Sequence, residues 1–175
     1  MLLELFCPGI FYDSIYHIDL SELKQKGIKG LIVDFDNTLV ERGSQDTPHK
    51  LHQWLEKVEE EGYRICIVSN NLESKIGKVV RSLNIPLVAR AGKPRGKAFR
   101  DGMKAMKTVN GETAVIGDQL FTDVLGGNRL GLFTILVLPV GTQEMLHTKV
   151  LRHLERWIIR RLQQRKMLVR AQTEK

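Results

Sequence analysis

Cysteines and long apolar runs are scarce in this chain of 175 residues. It has only two cysteines, so a framework of disulfide bonds is excluded and we expect a reducing, cytoplasmic environment. No apolar run approaches the roughly 20 residues that a bilayer requires, so we expect no transmembrane segment. The first residues lack a basic stretch and reach Pro8 early, so we expect no signal peptide.

Repeats, low-complexity tracts and glycine- or serine-rich linkers are also absent from the sequence. The composition, 42% apolar and 27% charged, is that of a globular domain with a full core. Apolar runs alternate with amphipathic segments at helical spacing, at 49–62, 74–83 and 97–106. This alternation predicts right-handed βαβ units. We therefore predict one α/β domain over residues 1–148, with a mostly parallel central sheet and helices on both faces.

Two aspartates follow the most informative apolar run. Residues 31–33 are all apolar, which predicts a strand covered on both faces, and Asp34 and Asp36 come directly after it. Carboxylates so close repel each other when both are ionised, so a fold that keeps them together usually supplies a cation or a shared proton. One interpretation is a Mg²⁺ site for phosphoryl transfer, because Mg²⁺ prefers a few oxygen ligands plus water and phosphate. The other is an ordinary turn in which the aspartates act as caps.

Three further apolar runs also end in polar residues, and each adds a different group. A hydroxyl and two amides follow the second run, where they either hold phosphate oxygens or cap a helix. An ammonium follows the third run. Two carboxylates follow the fourth, after a glycine that permits a sharp turn, and would add a metal ligand. These groups belong to Ser69, Asn70, Asn71, Lys93, Asp118 and Asp123.

Taken in order, the polar residues form a pattern with four parts. These parts are Asp-x-Asp-x-Thr at 34–38, Ser69, Lys93-Pro94, and Gly-Asp-x-x-x-x-Asp at 117–123. The pattern resembles the haloacid dehalogenase (HAD) phosphatases, which implies a Rossmann-like HAD fold. The phrases DFDNTLV, SNN, GKP and GDQLFTDVLGGNRLG are similar to the YqeG family within that superfamily. That family in turn resembles the mitochondrial and plastid phosphatidylglycerophosphate phosphatases.

The resemblance implies a catalytic role for several motif residues. Asp34 would attack the substrate phosphorus and become an aspartyl-phosphate. Asp36 would protonate the leaving alcohol and then take a proton from the hydrolytic water. Ser69 and Lys93 would bind the phosphoryl oxygens, where charge is spread in the transition state. Lys97 is a rival for this role, but Lys93 is preferred because it follows the strand directly.

The resemblance also implies a magnesium cofactor. Asp34 and Asp118 would supply side-chain ligands, and Asp36 would add its backbone carbonyl. Asp123 would act through a water molecule or by orienting the lysine. The side chains expected at the phosphate site are Thr38, Ser69, Asn70 and Lys93.

The spacing of the motifs bears on the size of the substrate. Many HAD enzymes enclose small substrates under an inserted cap domain. Here 33 positions lead from Asp36 to Ser69 and 24 from Ser69 to Lys93, and one helix uses most of each interval. We therefore expect no cap domain and an open site, which favours lipid, protein or nucleic-acid substrates. A homo-oligomer is another way to cover the site.

The net charge of +7 is concentrated at the end of the chain. Residues 149–175 carry nine basic and two acidic side chains, which leaves the preceding part neutral. Read as a helix, the segment places Leu151, Leu154, Ile158 and Leu162 on one stripe with Trp157 beside it, and Arg152, Arg156 and Arg160 on another. Such a helix predicts peripheral contact with an acidic membrane through residues 149–170. Alternatively, its apolar stripe packs on the body, or its basic face binds RNA.

The sequence therefore predicts a Mg²⁺-dependent phosphomonoester hydrolase that works through an aspartyl-phosphate. The leading substrate is phosphatidylglycerophosphate, an anionic phospholipid, at the inner face of the cytoplasmic membrane. A phosphoprotein, a nucleic-acid end or a soluble metabolite is the alternative substrate. From another class, the chain would be a non-catalytic protein that binds RNA or the ribosome, although binding alone gives no reason to keep the whole motif set.

Overall fold

The computed structural model describes residues 3–44, 46–141 and 146–171. Within these residues six strands form one sheet, and every neighbouring pair is parallel. The strands are β1 (Ile10–Tyr12), β2 (Gly30–Val33), β3 (Arg64–Val68), β4 (Leu87–Val88), β5 (Thr113–Gly117) and β6 (Phe133–Val137). The helices are α1 (Leu20–Gln25), α2 (His49–Glu60), α3 (Glu73–Ser82), α4 (Gly96–Met106), α5 (Leu125–Asn128) and α6 (Leu146–Gln164). In space the strand order is β1-β6-β5-β2-β3-β4.

Both faces of the central strand β2 are covered. Leu31 and Val33 join the apolar cluster on one face, and Ile32 joins the cluster on the other. Helices α2 and α3 cover the first face, and α4 covers the second. Their buried contributions are Leu51, Trp54 and Val58 from α2, Ile76, Val79 and Val80 from α3, and Phe99 and Met103 from α4. Coverage on two sides explains why the strand is apolar at successive positions.

The strand register brings the carboxyl ends of three neighbouring strands to one level. Val33 is paired with Ile67 of β3 and with Ile116 of β5. The backbone N–H of Asp34 then donates to the carbonyl of Ile116 at 2.9 Å. The chain leaves β2 towards β3 on one side and later returns to β5 on the other, which makes β2 a topological switch point. Open α/β sheets bind ligands in the crevice at such a point, beyond the carboxyl ends of the strands.

Helix α6 packs on the outer part of the sheet. Its buried residues Ile158 and Leu162 join an apolar cluster with side chains of β1, β6 and the turn before α5. Leu154 and Trp157 lie on a different side of the helix and are 46% and 52% exposed. One face of the basic helix therefore packs on the body of the protein, and another face is exposed to solvent. In the part of the chain that is described, no helix, α6 included, is long and apolar enough to cross a bilayer.

The residues after α6 run beside the edge strand β1. The backbone N–H of Phe11 donates to Val169 at 2.9 Å, and that of Ala171 donates to Phe11 at 2.9 Å. Arg170 also forms an ion pair with Asp13 at 2.6 Å. This pairing protects an edge of the sheet whose backbone groups would otherwise face solvent.

The structure confirms the predicted α/β fold with a parallel sheet and helices on both faces. The helices predicted at 49–62, 74–83 and 97–106 are present, with ends shifted by one or two residues. Strands β1 and β6 are additions that the sequence analysis does not predict. The division of the chain into residues 1–148 and 149–175 stays a prediction.

The loops beyond the carboxyl ends of the strands are short in the described residues. Between Val33 and His49 these residues form turns and one isolated bridge, which joins Asp36 to Val40. Between β3 and β4 they form only α3. The described residues therefore hold no cap domain at the carboxyl ends of the strands.

Candidate active site

The loop after β2 turns sharply, and this turn positions its two aspartates. The backbone N–H of Asn37 donates to Val40 at 2.7 Å, and Asn37 has a φ of +62°. Asparagine tolerates this left-handed conformation better than most residues. Asp34 and Asp36 are both buried. A strand end followed at once by a tight turn thus holds two carboxylates in place.

Lys93 forms a buried bridge between two of the carboxylates. Its Nζ lies 2.6 Å from Asp34 Oδ1 and 2.7 Å from Asp123 Oδ1. The backbone N–H of Lys93 donates to Asn70 Oδ1 at 2.8 Å, which fixes the lysine loop against the end of β3. Lys97 instead pairs with Asp101 at the surface, at 2.7 Å. Of the two candidate lysines, the structure therefore brings Lys93 to the aspartates.

Three carboxylates converge at the carboxyl edge of the sheet. Asp34, Asp118 and Asp123 each offer one oxygen, and these three oxygens lie within 4.8 Å of one another. Asp123 Oδ2 accepts hydrogen bonds from the Gln119 N–H at 3.3 Å and the Thr122 hydroxyl at 3.1 Å. The side chain of Asp36 is not in this group.

Gly117 makes room for the carboxylate of Asp123. A Cβ atom at position 117 would lie 2.3 Å from Asp123 Cγ, which is far inside van der Waals contact. Only glycine lets the end of β5 approach that carboxylate so closely. The close approach of the Asp123 carboxylate to the backbone therefore requires the glycine in the fourth motif.

Burial dominates the electrostatics of the cluster. It raises the pKa of Asp34 to about 7, against the opposing effect of the Lys93 ammonium and with a further contribution from Asp123 and Asp118. Burial would lower the pKa of Lys93, but Asp123 and Asp34 outweigh it and raise that pKa above its ordinary value. Lys93 therefore stays a cation at neutral pH.

The cluster fits a divalent cation. Three ionised carboxylates and one ammonium leave two buried negative charges, which is unfavourable unless a counter-charge is present. The donors are all hard carboxylate oxygens, as Mg²⁺ prefers. Asp34, Asp118 and Asp123 are the residues whose positions suit such an ion.

The loop after β3 supplies a hydroxyl and two amides. Ser69 is almost fully buried, and its Oγ accepts the N–H of Asn71 at 3.1 Å, which leaves the hydroxyl proton to be donated elsewhere. Asn71 Nδ2 donates to Asp36 Oδ2 at 2.6 Å. Thr38 Oγ1 lies 3.5 Å from Asp34 Oδ2, at the limit of a hydrogen bond. All the residues singled out from the sequence thus lie around one edge of the sheet.

Two contacts at this edge were not predicted from the sequence. The role of Asn71 as the partner of Asp36 was missed, although the SNN phrase marked that strand end. Glu155 of α6 reaches the loop after β5, where its Oε1 accepts the N–H of Leu120 at 2.7 Å. The only signal for Glu155 is an acidic residue inside a strongly basic helix.

Comparison with known proteins gives the family. A family model described as mitochondrial PGP phosphatase matches residues 3–141. The chain belongs to this family. A probable phosphatase, YqeG of Bacillus subtilis strain 168, is 42% identical over 165 residues, which cover 94% of this chain and 96% of that protein. The expected membership of the HAD phosphatases, and within them the YqeG family, is thereby confirmed.

More distant members of the PGP phosphatase family include plant proteins. Phosphatidylglycerophosphate phosphatase 1 of Arabidopsis thaliana, chloroplastic/mitochondrial, is 29% identical, and the match covers 88% of this chain but only 47% of that protein. Among solved structures, the cobalt-bound deoxy-D-mannose-octulosonate 8-phosphate phosphatase YrbI of Haemophilus influenzae has a TM-score of 0.52 at 15% identity, covering 78% of this chain and 90% of that one. A putative HAD superfamily hydrolase of Legionella pneumophila has a TM-score of 0.51 at 18% identity, covering 85% of this chain and 92% of that one, so the fold is of the HAD type. Since the family model and the Bacillus relative are phosphatases, the protein is a HAD-type phosphatase, as predicted.

Proposed function

We propose that this HAD-type phosphatase hydrolyses phosphatidylglycerophosphate in a Mg²⁺-dependent reaction that passes through an aspartyl-phosphate. The observation that carries the proposal is the buried cluster in which Lys93 bridges Asp34 and Asp123 beside Asp118. The names of the family and of its plant members support the lipid substrate. The described residues hold no cap domain, which fits a lipid substrate, because a headgroup presented at a surface needs no cap to hold it.

In the first half of the reaction, a carboxylate oxygen of Asp34 attacks phosphorus. A bond forms between that oxygen and phosphorus, and the bond from phosphorus to the lipid alcohol breaks. Asp36, held by Asn71 at 2.6 Å, gives its proton to the departing alcohol. Lys93 favours the reactive ionised form of Asp34, because the ammonium opposes the rise that burial causes in the pKa of the carboxyl.

In the second half, water hydrolyses the aspartyl-phosphate. Asp36 takes a proton from this water, and Asp34 is regenerated as inorganic phosphate departs. The Ser69 hydroxyl and the Lys93 ammonium hold phosphoryl oxygens throughout. Asp34, Asp118 and the backbone carbonyl of Asp36 would hold Mg²⁺, which supplies positive charge to the phosphoryl oxygens. Asp123 would act on the ion, directly or through a water molecule, or would orient Lys93.

A substrate panel tests the reaction and its specificity. We expect the purified protein to release phosphate from phosphatidylglycerophosphate in mixed micelles at least about tenfold faster than from a phosphopeptide, a 5′-nucleotide or a sugar phosphate, since only the lipid is presented at a surface. EDTA should abolish release and excess Mg²⁺ should restore it. A faster rate on one of the soluble esters would overturn the lipid assignment, and activity that persists in EDTA would overturn the metal.

An apolar groove supports the membrane contact that we propose for residues 149–170. It lies between the outer face of α6, residues 3–6 and the loop after β5, and we call it the terminal groove. It is lined by Leu3, Phe6, Phe121, Leu154, Trp157 and Arg161, among others. The Arg161 guanidinium lies 5.1 Å from the centre of the Trp157 ring, and Arg165 lines the groove as well. Apolar side chains bordered by arginines suit the headgroup layer of an anionic bilayer.

Removing the exposed apolar groups of the terminal groove should weaken membrane binding. We expect the double variant Leu154→Ala, Trp157→Ala to bind anionic vesicles at least about tenfold more weakly, because both side chains lose apolar area that is buried in lipid. Vesicle sedimentation with phosphatidylglycerol measures the effect. Val109→Ala is the matched control, because Val109 is 63% exposed but lies before β5, at the opposite edge of the sheet. Equal binding by the double variant, or stronger binding to RNA than to vesicles, would contradict this contact.

A further inference from the structure

A buried carboxylate from α6 contacts the loop that carries two aspartates of the site. Glu155 is only 4% exposed. Its Oε1 accepts the backbone N–H of Leu120 at 2.7 Å and that of Phe121 at 3.4 Å. These N–H groups open the π-helical turn Leu120–Val124, which begins two residues after Asp118 and contains Asp123. The first N–H groups of a helical segment find no partner inside it, and a carboxylate bonds to them strongly.

The same face of α6 also holds the loop by apolar contact. Ile158 and Leu162 follow Glu155 by three and seven residues, so the three side chains lie on one face of the helix. In the apolar cluster they meet Leu120 and Val124, which lie at the two ends of the turn. Helix α6 therefore contacts the loop in two ways. It bonds to the loop backbone at one end, and it packs on loop side chains at both ends.

Hydrogen bonds within the loop do not substitute for these contacts with α6. Asp123 accepts from Gln119 and Thr122, so these bonds fold the loop around Asp123 but do not anchor it to the rest of the protein. Among the residues of this loop, Lys93 pairs with the side chain of Asp123, which does not hold the backbone at the start of the turn. Without Glu155, the N–H of the buried Leu120 would lose the acceptor that comes from α6, and the segment that follows Asp118 would be free to shift.

We propose that Glu155 is a positioning residue for the metal site, which holds the loop of Asp118 and Asp123 at the separation that a divalent cation requires. The inference rests on the proposed Mg²⁺ site. It makes the terminal helix part of the apparatus that binds the cation, because the side chain that fixes the loop comes from residue 155. Groups that orient metal ligands commonly change metal affinity by about 10- to 100-fold when they are removed.

The test compares Mg²⁺ binding in three variants by calorimetry, with the ion alone as the probe. We expect Glu155→Leu to weaken Mg²⁺ binding by about tenfold or more, since the loop loses its acceptor. Glu155→Gln keeps an oxygen acceptor but loses the charge, so its loss should be about threefold. Val58→Ala removes a buried apolar side chain of α2, which packs in a different cluster from the loop, and should bind Mg²⁺ within about twofold of the parent.

Hydrogen exchange and kinetics add readouts that a merely structural role would not move. Amides of residues 118–124 should exchange faster in Glu155→Leu than in Val58→Ala at equal overall stability. The kcat of Glu155→Leu should recover at saturating Mg²⁺, because the catalytic groups themselves are intact. The proposal is overturned if Glu155→Gln, or Glu155→Leu where it folds, binds Mg²⁺ as tightly as the parent. A parent protein that does not bind Mg²⁺ would overturn the metal site itself, whatever the variants show.

Discussion

Replacing Asp34 by asparagine is expected to abolish phosphate release while leaving the fold in place. Asparagine has nearly the same shape, and its single side-chain oxygen can still accept a hydrogen bond from Lys93, but its amide is a very poor nucleophile. Loss of a nucleophile lowers kcat by about 10⁴-fold or more in well-studied hydrolases. Steady-state rates on phosphatidylglycerophosphate and on a soluble ester, both at saturating Mg²⁺, measure the loss. Thermal unfolding and circular dichroism check that the variant is folded.

The chain offers a matched control for this substitution. Asp101 pairs with Lys97 at 2.7 Å, as Asp34 pairs with Lys93 at 2.6 Å, but the first pair is at the surface. Asp101→Asn should therefore keep the parent rate. The parent enzyme, quenched during turnover of labelled substrate, should carry label that hydroxylamine releases, and Asp34→Asn should carry none. An Asp34→Asn protein with more than about one tenth of the parent rate would contradict nucleophilic catalysis by this residue.

The central half of the fold could be predicted from the sequence because its signals are local. A strand buried on both faces is apolar at successive positions, and residues 31–33 show this directly. The carboxyl ends of parallel strands meet at one edge, so polar residues after four runs predict one site. Lys93 was preferred over Lys97 on this ground, and the structure places it between Asp34 and Asp123.

The outer half of the fold depends on contacts between distant residues. Strand β1 has three residues, too few for a periodic pattern, and it pairs with β6, far along the chain. Two contacts at the site also join residues that are far apart in the sequence. Asn71 meets Asp36 across 35 positions, and Glu155 meets Leu120 across 35. Sequence periodicity reports which face of an element is buried, but not which residue lies opposite it, so these partners required the structure.

The terminal helix shows how one pattern supports two interpretations. The spacing of its apolar residues predicts an apolar face but does not say whether protein or lipid covers it. In the structure Ile158 and Leu162 meet the body, whereas Leu154 and Trp157 remain exposed. Glu155 directly follows the exposed Leu154 in sequence, yet it is buried against the loop of the metal site. If the proposed membrane contact holds, one helix places the bilayer and the cation site next to each other.

Replacing Lys93 by methionine is expected to reduce both activity and stability. Methionine fills a similar volume but removes the ammonium that bridges two buried carboxylates. Breaking a buried ion pair by removing one partner lowers the free energy of unfolding by about 3–5 kcal/mol. Without the nearby cation, the pKa of Asp34 should rise further above its value of about 7, so that the nucleophile is protonated at neutral pH. We expect kcat to fall by about 10³-fold, and the acidic limb of its pH profile to move to higher pH.

The pH dependence of stability separates this electrostatic role from simple packing. In the Mg²⁺-free protein the pKa of Asp34 is raised from 3.8 to about 7 on folding, so its contribution to stability declines as pH rises through this range. Lys93, whose pKa is raised, is charged in both the folded and the unfolded state at these pH values. Its ammonium stabilises ionised Asp34 and so reduces the decline in stability, an effect that Lys93→Met loses. The stability lost in Lys93→Met should therefore be larger at pH 8 than at pH 5, as measured by denaturant unfolding in EDTA. Lys97→Met removes an exposed ion-pair partner and should lose little stability at either pH. An equal loss of stability at both pH values in Lys93→Met would show that the buried lysine acts through packing alone.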